Sequence, residues 1–214
     1  MVAIIDYGAG NLRSISKAIA RLGLECAVTD DPGSIEAAGA VVLPGVGAFG
    51  AAARRLKDTG ADQALLKAVE TGRPILGICL GMQLLFEESE ESPGVPGLGV
   101  LGGRVERLRG GMRVPHLGWN TADDACGPLF AGIVEEGAAG RGPWFYFAHS
   151  YVVRPADRSI VSSTTEHGER FPSSIRSRNV FGVQFHPEKS GSTGLRLLLN
   201  FLNWGLQVAD NTRN

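Results

Sequence analysis

The fold is decided by residues 74–86, which read PILGICLGMQLLF. An apolar run leads into Cys79 and helix-forming residues follow it, so the segment predicts a buried strand that turns directly into a helix. Gly77 and Gly81 stand two residues before and two after the cysteine, where larger side chains would clash in so sharp a turn. This layout predicts a nucleophilic cysteine at a helix N-terminus, where the partial positive charge favours the thiolate.

The alternative is that the cysteine is a small buried hydrophobe, as most free cysteines are. We adopt that interpretation for Cys26 and Cys126, because neither lies in such a turn. The three cysteines show no framework spacing and no CxxC pair, which argues against disulfides and a structural zinc site. We expect no metal and no cofactor.

The first half of the chain alternates short apolar runs with helical periodicity. Predicted strands cover 2–5, 25–29, 40–43 and 74–79, and predicted helices cover 12–22, with Asn11 as its N-cap, 49–57, 62–71 and 80–86. Such alternation predicts an α/β fold with a mostly parallel sheet between two layers of helices. After residue 91 the helical pattern disappears, and short candidate strands predict an antiparallel extension before a closing helix over 193–204.

Composition narrows the classes of function. The 214 residues carry 21 basic and 22 acidic side chains, for a net charge of −1, which gives no reason to expect nucleic acid or a membrane as partner. The N-terminus lacks a secretory pattern, and no apolar run approaches the roughly 20 residues of a membrane span. We therefore expect a cytoplasmic enzyme, with one domain over 1–206 and a polar tail over 207–214.

A second motif, QFHPE at 184–188, follows an apolar strand. In extended backbone, residues two apart face the same side, so His186 and Glu188 are predicted to lie together. A carboxylate beside an imidazole fixes its tautomer and stabilises its protonated form. A surface histidine and glutamate at a strand end is the alternative. Beside the Cys79 turn we favour a catalytic pair, with His186 as the base and Glu188 as its orienting group.

A third motif, PGVG at 44–47, ends a predicted strand. Ligands bind beyond the carboxyl ends of parallel strands, so the amide of Val46 or Gly47, together with that of Leu80, is predicted to form an oxyanion hole. A plain turn is the alternative. The segment lacks the Lys-Ser/Thr pair of a phosphate-binding loop, which makes nucleotide binding by this chain unexpected.

PGVG, GICLGMQ and HPE, in this order, resemble the class I, triad-type glutamine amidotransferases over essentially the whole chain. That resemblance implies hydrolysis of the glutamine side-chain amide through a Cys79 thioester, with ammonia handed to a synthase partner. It also implies that glutamine contacts Gly45, Gln83, Ser150 and Tyr151, and that the partner contacts Asn11, Trp119 and Tyr146.

Some of these positions have other interpretations. Trp119 and Tyr146 could be core aromatics. For the acidic run at Glu87, Glu88, Glu90 and Glu91 we expect a solvated surface. His116 and His149 lie in the matched segments, and we assign neither a catalytic proton.

Within the family, DYGAGN at 6–11, PHLGWN at 115–120 and YFAHSY at 146–151 resemble the branch that serves histidine biosynthesis. Its partner is a cyclase subunit built as a (β/α)8 barrel, which makes imidazole glycerol phosphate and aminoimidazole carboxamide ribotide from a nucleotide. Val46 between two glycines is typical of that branch, and implies that the loop rearranges before activity. The alternatives are a glutaminase for another synthase, such as one for pyridoxal phosphate, a non-catalytic module, and an elbow-cysteine protein acting on other electrophiles.

Overall fold

The computed structural model describes residues 1–8, 10–133 and 142–211. Its centre is a seven-stranded sheet, whose strands, numbered in chain order, lie side by side as β10 (Val161–Glu166), β11 (Arg170–Ser177), β12 (Val180–Val183), β4 (Ile75–Ile78), β3 (Ala40–Leu43), β1 (Val2–Ile5) and β2 (Cys26–Thr29). The five strands from β12 to β2 are parallel, and β11 and β10 extend the sheet antiparallel. The predicted sheet is confirmed.

Helices cover both faces of this sheet. On one face lie α1 (Leu12–Arg21) and α6 (Gly191–Asn211), and on the other lie α2 (Pro32–Ala37), α3 (Phe49–Thr59) and α4 (Ala61–Glu70). Successive side chains of a strand point to opposite faces. In β1, Val2 and Ile4 join the core under α1, while Ala3 and Ile5 join the core under α3 and α4. This produces the predicted three layers.

Two smaller sheets flank the central one. The first contains β5 (Glu88–Ser89), β6 (Gly103–Arg107) and β9 (Tyr151–Pro155), and the second is the antiparallel pair β7 (His116–Thr121) and β8 (Trp144–His149). The pair β7–β8 buries Phe145 and Phe147, while Leu117, Trp119 and Trp144 are exposed. It therefore presents an uncovered apolar face beside the carboxyl ends of the central strands.

Three of the elements in which the structure differs from the sequence-based prediction are α2, β7 and α6. Helix α2 was not predicted, because Pro32 and Gly33 suggest a turn; Asp31 caps it by accepting from the Ser34 amide at 2.7 Å. Strand β7 was missed as well, since Gly118 interrupts its pattern. Helix α6 runs beyond residue 204 to Asn211, so residues 207–211 of the expected tail are helical; residues 212–214 lie outside the described part.

In the described ranges, no helix is long and apolar enough to cross a membrane.

Candidate active site

The turn from β4 into α5 (Leu80–Leu84) holds Cys79 in a strained conformation. Its φ is 55° and its ψ −111°, a region that L-residues rarely occupy and that is maintained only by surrounding structure. The Cys79 amide donates to the Val183 carbonyl at 2.7 Å. A Cβ on Gly77 would lie 2.7 Å from the Met82 amide nitrogen, and one on Gly81 would collide with the Leu43 carbonyl. Both glycines are therefore required for the predicted turn.

Cys79 lies at the wall of a cavity of about 330 Å³, which is large enough for an amino acid. The predicted site residues that line it are Val46, Gly47, Cys79, Leu80, Gln83, Ser150, Tyr151 and His186, and the lining residues that were not predicted are Glu91, Pro115, Ala148, His149 and Lys189. Across the described ranges, no three His, Cys, Asp or Glu side chains are arranged to hold a metal ion.

His186 connects Cys79 to Glu188. Its Nδ1 lies 2.9 Å from Glu188 Oε1, which leaves the other ring nitrogen free, and the ring lines the same cavity as Cys79. Burial lowers the pKa of His186, but the hydrogen bonds to Cys79 and Glu188 and their negative charges outweigh it and raise the pKa to about 9. The His186 ring is therefore protonated near neutral pH, and a protonated imidazole near a cysteine sulfur favours the thiolate that nucleophilic attack requires.

Glu188 is positioned by a tight turn and not by the extended backbone that we predicted. His186 is extended, but Pro187–Lys189 form a short 3-10 helix. This turn is held in place because the His186 amide donates to the Tyr146 carbonyl at 2.8 Å, and the Ser190 hydroxyl donates to the His186 carbonyl at 2.6 Å. The pairing of His186 with Glu188 was predicted; its backbone geometry was not.

Asn11 occupies the N-cap position of α1 but makes no side-chain capping bond. Its amide instead donates to Glu188 Oε1 at 3.4 Å. The other carboxylate oxygen, Oε2, is buried and has no partner among the described residues. The capping role predicted for the Asn11 side chain was wrong, because that side chain contacts the carboxylate that orients His186.

Val46 and Gly47 of the PGVG loop line the same cavity as Leu80. Val46 is 41 % exposed and Gly47 has a φ of 98°. Within the described ranges, the amides of Val46, Gly47 and Leu80 have no protein acceptor. The oxyanion hole assigned to these three amides stays a prediction.

Gly45, the second residue of this loop, does not line the cavity. A Cβ there would lie 2.6 Å from both the Leu80 Cβ and the Gly81 amide nitrogen. The neighbouring Pro44 carbonyl accepts from the buried Tyr7 hydroxyl at 2.6 Å. In this structure Gly45 brings the loop close to the cysteine turn.

Two histidines form a second buried network beside the cavity. His149 Nδ1 lies 3.0 Å from the Tyr151 carbonyl, so this nitrogen carries the proton and donates. His149 Nε2 is then the acceptor for His116 Nδ1 at 3.0 Å, and His116 Nε2 accepts from the Asn120 amide at 3.2 Å. Burial is the main cause that lowers the pKa of His149 to about 3 and that of His116 to about 4, and neighbouring histidines add to it. Both rings are therefore neutral at physiological pH.

Glu91 was expected on a solvated acidic surface, and this expectation was wrong. Its side chain lines the cavity, and its Oε2 accepts from the Phe49 amide at 2.7 Å, at the start of α3. Glu90 does lie at the surface, where it pairs with Arg109 at 2.7 Å. No signal in the sequence distinguishes the two, because they lie in an irregular segment without periodicity.

Trp119 is 53 % exposed, so the core interpretation does not apply to it. It meets the half-buried Tyr146 edge to face, with ring centroids 6.2 Å apart, on the outer face of the β7–β8 pair. Leu117 and Trp144 are exposed on the same face. Exposed apolar groups of this kind are typical of protein–protein contact surfaces.

The sequence matches the family "Glutamine amidotransferase class-I" over residues 3–204. The chain therefore belongs to the class I glutamine amidotransferases, and it is an enzyme of that class. Among curated relatives, "Imidazole glycerol phosphate synthase subunit HisH" of Moorella thermoacetica is 52 % identical and covers 94 % of this chain and 93 % of its own length. The protein of that name from Methanothermobacter thermautotrophicus is 47 % identical, covering 94 % and 98 %. The predicted resemblance to this branch is confirmed.

Solved structures show the same fold at lower sequence identity. A crystal structure of a glutamine amidotransferase covers 96 % of this chain and 99 % of its own, with a TM-score of 0.73 and 24 % identity. The structure of PurLQS from Thermotoga maritima covers 95 % and 97 %, with a TM-score of 0.68 and 21 % identity. The architecture is thus shared beyond the branch to which the sequence points.

Proposed function

We propose that this chain is the glutaminase subunit of an imidazole glycerol phosphate synthase. It hydrolyses glutamine to glutamate and ammonia and passes ammonia to a cyclase subunit, with which it forms a heterodimer. The observation that carries the proposal is that Cys79 and His186 line the same 330 Å³ cavity while His186 Nδ1 lies 2.9 Å from Glu188 Oε1. The near full-length similarity to HisH subunits supports the choice of synthase.

In the first half of the reaction, the Cys79 thiolate attacks the side-chain amide carbon of glutamine. The carbonyl oxygen becomes an oxyanion, which accepts hydrogen bonds from the Leu80 amide and from that of Val46 or Gly47. Protonated His186 gives its proton to the leaving nitrogen as the C–N bond breaks. Ammonia departs and a glutamyl thioester remains on Cys79.

In the second half, His186 is neutral and takes a proton from water, which attacks the thioester carbonyl. The same amides stabilise the second oxyanion. The C–S bond then breaks, glutamate is released, and the imidazolium–thiolate pair is restored. Glu188 keeps Nδ1 protonated throughout, so that the nitrogen facing the sulfur carries out both proton transfers.

The cavity also offers groups for the ends of glutamine. Glu91 supplies a carboxylate for the α-ammonium group, because its Oε1 is not used by the Phe49 amide. Gln83 donates both amide hydrogens to protein groups, the Tyr151 carbonyl at 2.9 Å and Gln184 Oε1 at 3.0 Å. Gln83 can therefore offer glutamine only its carbonyl oxygen as an acceptor. Ser150 and Tyr151 complete the wall on that side.

The partner docks on the outer face of the β7–β8 pair, around Trp119 and Tyr146, and near Asn11. Tyr146 links this face to the site, because its carbonyl accepts from the His186 amide. Docking rearranges the PGVG loop, for which glycine at position 47 gives the backbone freedom. Activity of the free chain is therefore low, and the (β/α)8-barrel cyclase uses the ammonia to make imidazole glycerol phosphate and aminoimidazole carboxamide ribotide.

The test is glutamate release by the purified chain, alone and then with the cyclase subunit and its nucleotide ligand. We expect near-silence alone and strong stimulation in the complex, with none of this activity in Cys79→Ala. Strong activity that the cyclase leaves unchanged would keep the chemistry but assign another synthase. No activity either alone or in the complex would favour the alternative that the chain is a non-catalytic module.

A further inference from the structure

Gln184 belongs to the QFHPE motif but has no part in the mechanism above. It is fully buried, and its side-chain Nε2 lies 3.6 Å from the Cys79 sulfur. Strand β12 pairs with β4, and Val183 faces Ile78, so the next residues of both strands continue side by side. Because residues two apart face the same side of extended backbone, Gln184 and His186 both point towards Cys79.

We propose that Gln184 is a further catalytic residue, which donates a hydrogen bond to the Cys79 sulfur and stabilises its thiolate form. This inference rests on the proposed glutaminase function of the site. It concerns the reacting atom itself, and it assigns a second donor to the sulfur besides His186.

The donor role depends on which end of the Gln184 amide faces the sulfur, and the surrounding network settles this. The Tyr151 main-chain carbonyl can only accept, so the Gln83 atom 2.9 Å away is the amide nitrogen. That same nitrogen lies 3.0 Å from Gln184, whose facing atom must then be the oxygen. The nitrogen of Gln184 is left facing Cys79.

The Tyr151 carbonyl is itself fixed from the other side. His149 donates to it through Nδ1 at 3.0 Å, and His116 and Asn120 hold His149 in that tautomer. A series of neutral groups therefore runs from β7 to the cysteine, each with only one allowed direction of donation. Hydrogen bonds to a charged form favour that form, so this arrangement favours the thiolate over the thiol.

The sulfur has an acceptor as well as donors. The Ala148 carbonyl lies 3.8 Å from it and suits an S–H group. Loss of the Gln184 donor would leave this carbonyl and His186 as its polar neighbours, which shifts the balance towards the thiol. The ionisable groups at Cys79 and its cavity are Tyr7, Glu91, His149, Tyr151, His186 with Glu188, and Lys189. The Gln184→Met substitution changes none of these groups.

The experiment measures the rate at which iodoacetamide alkylates Cys79 as a function of pH, site by site, by mass spectrometry. In Gln184→Met, whose side chain is similar in length but lacks a donor, the midpoint should rise by about one pH unit. Exposed Cys126 serves as the internal control, and its profile should not move. In the complex, kcat should fall about tenfold with the pH midpoint of kcat shifted in the same direction.

A Gln184→Met protein with the wild-type melting temperature and an unchanged Cys79 midpoint would overturn the proposal. If that variant does not fold, Gln83→Met tests the same series, because it keeps Gln184 but removes the group that orients it. A smaller rise in the midpoint is expected there, and no rise would contradict the inference. Alkylation needs neither glutamine nor the partner. A raised alkylation midpoint in Gln184→Met, together with a complex that has no glutaminase activity, would therefore contradict the proposed function but not the role of Gln184.

Discussion

His186 and His149 line the same cavity, but near neutral pH the His186 ring is protonated and the His149 ring is neutral. Both are almost fully buried, at 2 % and 5 % exposure, and burial lowers the pKa of each. Cys79 and Glu188 raise the pKa of His186 to about 9 through hydrogen bonding and negative charge. The neighbours of His149 are another histidine and a main-chain carbonyl, and its pKa is lowered to about 3. The charge of the neighbours, not the depth of burial, separates a catalytic acid–base group from a structural one.

The largest expected effect is a loss of glutaminase activity that occurs when His186 is replaced but not when His149 is replaced. In the complex with the cyclase, His186→Ala should lower glutamate release about 10³-fold or more, because the proton acceptor and donor are lost together. His149→Gln keeps a neutral donor and acceptor and should stay within about tenfold of wild type. Equal losses in steady-state kcat would contradict the distinction.

A smaller loss is expected when His186 keeps its ring but loses its carboxylate. Glu188→Ala should lower kcat about 10²-fold, since its part is orientation and charge stabilisation of the imidazolium. The pH profile of Cys79 alkylation should move to higher pH in this variant, because a less basic His186 supports the thiolate less well. A loss greater than that of His186→Ala would reverse the assigned hierarchy.

The two histidines should also give the free energy of unfolding opposite dependences on pH. His149 stays neutral when folded, so its contribution is complete above pH 6.5 and is lost as pH falls from 6.5 towards 3. His186 holds a proton more tightly when folded, so its contribution is complete below pH 6.5 and is lost as pH rises from 6.5 to about 9.

Chemical unfolding of the free chain at a series of pH values measures both dependences. The acid limb is the loss of stability below pH 6.5, and the alkaline limb is the loss above pH 6.5. His149→Gln should flatten the acid limb and leave the alkaline limb as it is, while Cys79→Ala should flatten the alkaline limb only. His116 also contributes to the acid limb, since its pKa is lowered to about 4. Unchanged slopes in both variants would contradict the charge states assigned to the two rings.

The smallest change in the stability of the isolated chain is expected for a substitution on the outer face of the β7–β8 pair. Trp119→Ala should change the free energy of unfolding by no more than about 0.5 kcal/mol, because the side chain is half exposed. Stimulation of glutaminase activity by the cyclase should weaken clearly. A large drop in melting temperature would restore the core interpretation of this residue.

What could be predicted from the sequence is what short local patterns determine. The strand, the cysteine turn and the helix over 74–86 follow from apolar runs and two glycines, and the His186–Glu188 pair follows from residue type and spacing. Strand β7 was missed because Gly118 interrupts it. The roles of Glu91 and Gln184 depend on partners distant in the chain, 42 residues away in Phe49 and 105 in Cys79, which no local pattern reveals.

The most direct test of the central claim is to trap the acyl-enzyme. The complex with the cyclase and its nucleotide ligand is mixed with isotope-labelled glutamine, quenched in acid within one turnover, and analysed by peptide mass spectrometry. The label should appear as a glutamyl thioester on Cys79 and be lost in a chase with unlabelled glutamine. Turnover of glutamine with no adduct on Cys79, or with the label on Cys26 or Cys126, would contradict the account.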